Sequence, residues 1–173
     1  MSPRTWTGRV FIATSLDGFI ARPDGDISWL TNPPADPVHL PPTLPRTVKV
    51  FDQHMARVDC ILMGRKTYEK VLSLPQWPYG TKPIFVLSST SLEEAGEVFE
   101  RDRIGSVYVD GGEVVQAFLR KSWVDEIILT HAPMLLGQGI PLFGFLEKDI
   151  RMSLRAVDVI EDGMVSAEYQ VIK

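Results

Sequence analysis

Three short apolar runs in this chain end in turns of glycine or hydroxyl side chains, and two of those turns open directly into helix-patterned sequence. Asp59-Cys60-Ile61-Leu62-Met63 leads through Gly64 into a short helical segment from Lys66 to Leu72. Ile84-Phe85-Val86-Leu87, opened by Pro83, closes on Ser88-Ser89-Thr90-Ser91. Ser106-Val107-Tyr108-Val109 reaches Gly111-Gly112 and then a helix through Val114, Val115, Phe118 and Leu119. Apolar runs this short and this continuous read as strands buried on both faces, and strand–turn–helix repeats call for a largely parallel sheet covered by helices. In such sheets ligands sit beyond the carboxyl ends of the strands, where helix N-termini present unpaired N–H groups.

The flanking sequence completes an α/β pattern. Val10-Phe11-Ile12-Ala13 predicts a buried strand leaving through Ser15-Leu16-Asp17-Gly18, and Asp24-Gly25 marks a second turn. Val48, Phe51 and Met55 are spaced as one face of a helix over Thr47–Arg57. Glu126-Ile127-Ile128-Leu129-Thr130 is a further strand. Met152, Leu154 and Ala156 alternate, Val157 and Val159 continue in the opposite phase, and this predicts a bulge. Asp162-Gly163 then reads as a hairpin turn before the alternating Val165, Ala167, Tyr169 and Val171. The expected architecture is a mixed, mainly parallel central sheet with a C-terminal antiparallel hairpin, in a single domain over residues 1–173. Six prolines between Pro33 and Pro45 forbid helix or central strand and predict a long surface loop, either a lid or substrate wall or an insertion with no role.

Composition narrows the function. A formal net charge of −4 argues against a nucleic-acid partner. No apolar stretch approaches the length of a membrane span, and Met1–Thr7 lacks an apolar signal core. Cys60 is the only cysteine, so no intrachain disulfide forms and a reducing compartment, the cytoplasm, is expected. His39, His54 and His131 have no ligand spacing, and no metal site is expected.

Met63-Gly64-Arg65-Lys66-Thr67 places a glycine, two cations and a hydroxyl at a helix start, the ingredients of a phosphate site. It reads equally as a capped, solvated helix end. Gly111-Gly112 permits close approach of a pyrophosphate, or simply a flexible connection. The Rossmann fingerprint is absent, because Leu142 follows Gly137-Gln138-Gly139 where a third glycine belongs, and a Walker A lysine motif is absent too. A dinucleotide would therefore be held by separated turns.

Phe11-Ile12-Ala13-Thr14-Ser15-Leu16-Asp17-Gly18-Phe19-Ile20-Ala21 together with Val58–Glu69 resembles the dihydrofolate reductase superfamily. Val109-Asp110-Gly111-Gly112-Glu113, Val124-Asp125-Glu126, Pro133 and Leu136–Pro141 more specifically resemble the C-terminal reductase domain of the bifunctional riboflavin-biosynthesis deaminase-reductase and its stand-alone relatives. The resemblance implies a dihydrofolate-reductase-like three-layer fold with helices on both faces, NADPH as cofactor, and hydride transfer to a small pteridine-like or ribosylaminopyrimidine-like heterocycle. It implies that Ala13 and Ile20 line the nicotinamide, and that Gly64, Arg65, Lys66 and Thr67 take the 2′-phosphate and part of the pyrophosphate. Leu87, Ser88 and Ser89 would flank the adenine ribose, and Gly111, Gly112, Glu113 and Val114 would meet the pyrophosphate. A cis peptide at the glycine pair and a homodimer are further implications.

Dihydrofolate reductases carry a pterin-binding acid at the position that falls here on Val48. Asp52, one turn along the same helix face, is the candidate catalytic acid, or a solvated helix carboxylate. Asp17, Trp29 and Asp110 are candidate substrate contacts, although Asp17 also reads as the builder of its own turn and Trp29 as a loop anchor. Dihydrofolate reduction, or nucleotide binding without turnover, are the alternatives. The deaminase zinc motif is missing, as one cysteine cannot supply it.

Overall fold

A computed structural model describes residues 4–32, 50–160 and 163–173. The proline-rich segment, Val48 and Asp162 lie outside the described residues. Five parallel strands and an antiparallel pair form one seven-stranded sheet: β1 (Thr7–Ser15), β3 (Cys60–Gly64), β4 (Ile84–Leu87), β5 (Ser106–Asp110), β6 (Glu126–Ala132), β8 (Met152–Val159) and β9 (Val165–Val171), in the order β4-β3-β5-β1-β6-β9-β8. β2 (Phe19–Ala21) and β7 (Ile140–Pro141) form a separate antiparallel pair.

The continuous apolar runs are buried on both sides because helices cover both faces. On one face Cys60, Leu62, Val107 and Val109 meet Ala95 and Phe99 of α4 (Leu92–Arg101) and Val115 and Phe118 of α5 (Gly112–Arg120). On the other, Ile61, Met63 and Tyr108 meet Val71 of α3 (Arg65–Leu72) and Phe51 and Met55 of α2 (Val50–Ala56). Alternate residues of β3 thus feed different layers, as period-2 side-chain direction requires. A four-residue α1 (Ser28–Thr31) follows the Asp24-Gly25 turn.

The observed sheet is the mixed one the sequence predicts, with its antiparallel edge at β9 and β8. The phase reversal in β8 is a register shift between Leu154 and Ala156. Gly163 has φ +75°, the left-handed value a tight hairpin turn uses. β2 and β7 escape the sequence reading because segments of three and two residues carry no periodic signal.

Candidate active site

The carboxyl ends of β1, β3 and β5 converge where the chain folds back to insert β5 between β3 and β1. A cleft of about 800 Å³ opens there, lined by Ala13, Ile20, Lys66, Thr67, Asp110 and Gly111 among others, a volume that suits a small-molecule site. Its walls are mainly apolar: Phe11 and Ile12 from β1, Ile27 and Leu30 around α1, Phe51 from α2, Val71 from α3 and Tyr108 from β5.

Helix starts distinguish this edge. α4 begins with a complete capping box, in which Ser91 Oγ accepts from Glu94 N–H and the Glu94 carboxylate accepts from Ser91 N–H. α3 and α5 have glycine N-caps, Gly64 and Gly111, and no side-chain cap hydrogen bond on either. The first-turn N–H groups of these two helices are therefore left for another acceptor, and the positive ends of both dipoles point to the same edge of the sheet. The two turns also touch. A Cβ on Gly111 would lie 2.3 Å from Thr67 Oγ1, and one on Gly64 would lie 3.6 Å from Val114 Cγ2. Gly112 packs on Ile20, whose Cδ1 would be 2.8 Å from an added Cβ.

The resemblance implies a cis peptide at the glycine pair, and this is corrected: the described residues contain no cis peptide. Gly111 turns the chain instead through φ +89°, ψ 137°, a conformation that glycine alone adopts without steric cost.

The other sequence-derived residues divide. Arg65 is exposed and outside the cleft lining, whereas Lys66 lines its mouth 3.8 Å from Glu113 across the two helix starts. Leu87 pairs in register with Gly64, and the exposed Ser88 and Ser89 follow it beyond the cleft lining. Asp17 is occupied: its carboxylate accepts from Ser15 Oγ at 2.5 Å and from the N–H groups of Leu136 and Gly137 at 3.1 and 2.7 Å. The Ser15 hydroxyl, with these amides, holds the Asp17 carboxyl below its ordinary range. Trp29 is buried, and its Nε1 has no hydrogen-bond partner among the described residues. Asp52 is exposed and outside the lining, while its neighbour Phe51 forms part of the wall.

Asp110 sits at the end of β5, half-buried in the cleft floor. Tyr79 Oη donates to its Oδ2 at 2.5 Å and Gly111 N–H to its Oδ1 at 2.8 Å. Burial pushes this carboxyl up, against both hydrogen bonds. Tyr79, Lys70 and Val71 were not singled out from sequence. Lys70 and Val71 follow Lys66 and Thr67 by one helical turn, a spacing that could have found them; Tyr79 lies in a loop without periodicity.

Among the described residues no group of three or more His, Cys, Asp or Glu side chains is placed to hold a metal, and no helix is long and apolar enough to cross a membrane.

This geometry has relatives. The RibD C-terminal domain family matches residues 7–102 and 80–166, and the chain belongs to that family. A Shewanella sp. PV-4 protein with a provisional riboflavin-biosynthesis name is 34% identical in its crystal structure, with a TM-score of 0.82 over 96% of this chain and 99% of that one. The uncharacterized Bacillus subtilis protein YwjB is 30% identical over 162 residues, 84% of this chain and 87% of its own. Enterococcus faecalis dihydrofolate reductase, solved as a complex with NADP(H), shares the fold at 15% identity and a TM-score of 0.58, covering 96% of this chain and 97% of that one. The architecture is the dihydrofolate-reductase-like one, in a chain of the RibD C-terminal domain family.

Proposed function

We propose that this protein is an NADPH-dependent reductase acting on a small pteridine-like or ribosylaminopyrimidine-like heterocycle. The observation that carries the reading is the pair of uncapped helix starts, α3 and α5, meeting at one cleft through Thr67 and Gly111. Their N–H groups suit the pyrophosphate, and Lys66 and Arg65 at the start of α3 suit the 2′-phosphate. Leu87 at the end of β4, with Ser88 and Ser89 after it, would flank the adenosine half of the cofactor, as the family resemblance implies. Ala13 and Ile20 form the apolar seat for the nicotinamide, which when bound supplies the hydride. Phe11, Phe51, Ile27 and Leu30 exclude water and hold a flat substrate against that seat. The cytoplasm is the proposed location, supported by the single cysteine of the sequence, Cys60, which can form no intrachain disulfide and fits a reducing compartment.

The test is binding followed by turnover. NADPH is expected to bind at least about tenfold more tightly than NADH, and the double substitution Arg65→Ala, Lys66→Ala to remove that preference, as loss of about 1.4 kcal/mol of phosphate contact requires. Retained preference overturns the phosphate assignment. NADPH oxidation is then followed with 5-amino-6-(5-phosphoribosylamino)uracil and with dihydrofolate. Tight NADPH binding with neither compound reduced would favour a nucleotide-binding protein without turnover. A homodimer, expected from the family resemblance, is checked by light scattering on the same sample.

A further inference from the structure

We propose that Asp17 is a positioning residue: its carboxylate clamps the turn after β1 to the loop at Leu136 and Gly137, and so sets the wall against which the nicotinamide half of the cofactor lies. The inference rests on the reductase reading and adds a residue that acts on one half of the cofactor from outside the cleft.

That wall has a slender support. Ile20 of β2 and Ile140 of β7 both line the cleft. The two strands pair only through Phe19 with Pro141 and Ala21 with Ile140, and the register shifts between these pairs. Pro141 has no N–H to give to the ladder, and so short an antiparallel pair is marginal by itself. The strands nevertheless lie close, since a Cβ on Gly139 would be 2.3 Å from Ala21 O. Both also abut the start of α5, where a Cβ on Gly112 would lie 2.8 Å from Ile20 Cδ1 and 3.4 Å from Pro141 O. Any shift of the pair therefore changes how the apolar wall meets the glycine turn.

The tie comes from side chains at the exit of β1. Asp17 Oδ1 accepts from Ser15 Oγ at 2.5 Å and from Leu136 N–H at 3.1 Å, and Oδ2 accepts from Gly137 N–H at 2.7 Å. Ser15 is fully buried, and its Oγ accepts at 3.1 Å from the N–H of Phe19, the first residue of β2. One carboxylate thus joins the end of β1, the entry to β2 and the loop that leads into β7. Backbone bonds flank it, Leu16 N–H donating to Met134 O at 2.8 Å and Leu142 N–H to Gly18 O at 3.0 Å. The donors on Asp17, the Ser15 hydroxyl foremost, hold its carboxyl below the ordinary range, so at neutral pH both oxygens are unprotonated and accept.

Ser15, Asp17, Leu136 and Gly137 all lie outside the cleft lining, so the clamp acts through Ile20 and Ile140. None of its bonds reaches Gly64, Arg65 or Lys66 at the start of α3, where the adenosine half of the cofactor is proposed to sit. Opening the clamp should therefore be felt by the nicotinamide half and not by the adenosine half.

The experiment compares wild type, Asp17→Ala and Asp17→Asn for binding of NADPH and of adenosine 2′,5′-bisphosphate, which is the adenosine half of NADPH alone. Asp17→Ala is expected to bind NADPH about tenfold more weakly and the bisphosphate within about twofold of wild type. Asp17→Asn keeps one acceptor oxygen and is expected to fall between, about threefold weaker for NADPH. NADPH affinity of Asp17→Ala within about twofold of wild type overturns the positioning role. Equal weakening of both ligands shows a general structural tie and overturns it as well. An Asp17→Asn protein that binds NADPH no better than Asp17→Ala overturns the role of the carboxylate oxygens. Should Asp17→Ala not fold, the two ligands are compared on Asp17→Asn, where unchanged or equally weakened binding is the overturning result. Wild type that fails to bind NADPH overturns the reductase reading itself, a result read without any variant.

Discussion

Gly111 and Gly18 both carry positive φ, +89° and +84°, yet only Gly111 has a neighbour where a side chain would go. Alanine at Gly18 meets nothing within 4 Å and costs only the left-handed strain, about 1 kcal/mol. Alanine at Gly111 also drives a methyl group to 2.3 Å from Thr67 Oγ1 and pushes the two cleft turns apart. Gly111→Ala is expected to weaken NADPH binding about tenfold or more while Gly18→Ala leaves it unchanged, measured by fluorescence titration. His54 supplies a second residue-scale effect. It is fully buried, with neither ring nitrogen hydrogen-bonded, and desolvation lowers it to about 3, Arg57 and Arg9 adding to the shift. The folded state favours the neutral ring, so its contribution is complete above pH about 6.5 and is lost as pH falls towards 3. At pH 5 the expected loss is about 2 kcal/mol. His54→Phe, which keeps an aromatic ring between Phe11 and Tyr108, should flatten this part of the stability profile in urea unfolding at pH 7 and pH 5.

At the scale of elements, α4 is closed by its own sequence while α3 and α5 wait for a partner. Ser91→Ala removes the acceptor for Glu94 N–H and is expected to cost about 1 kcal/mol in urea unfolding, with NADPH affinity unchanged. The Ser91-x-x-Glu94 spacing is a local signature from which this helix could be read directly. β2 and β7 depend on something less local: Asp17 ties the turn after β1 to the Leu136 and Gly137 amides, 119 and 120 residues away along the chain. Asp17→Ala is expected to speed hydrogen exchange at those two amides selectively. Carboxylate, serine and amides form a clamp, and this element-level contact was visible in sequence only as a turn.

Over the whole molecule, one sheet serves two cores. Phe118 is fully buried in the layer formed with α4 and α5, against Trp6 and Trp123 at ring distances of 6.0 and 5.5 Å. Phe118→Ala should cost about 3–5 kcal/mol, read as a lowered denaturation midpoint, because the surrounding rings cannot all collapse into the space. The opposite core includes Tyr79 and Tyr108, so its packing also supports the Asp110 side of the cleft.

The sequence by itself determined the strand–turn–helix order, the mixed sheet with its hairpin and the two glycine turns, because periodicity, glycine conformation and turn chemistry act within a few residues. Only the tertiary structure decided that Asp110 lines the cleft and Asp52 does not. Asp52 shares a helix with Phe51 but points to solvent, whereas Asp110 meets Tyr79 across 31 residues of chain. That meeting depends on how β5 inserts between β3 and β1 and on the burial of both side chains. Burial and non-local hydrogen bonding are properties of the packed sheet, and no local pattern encodes them.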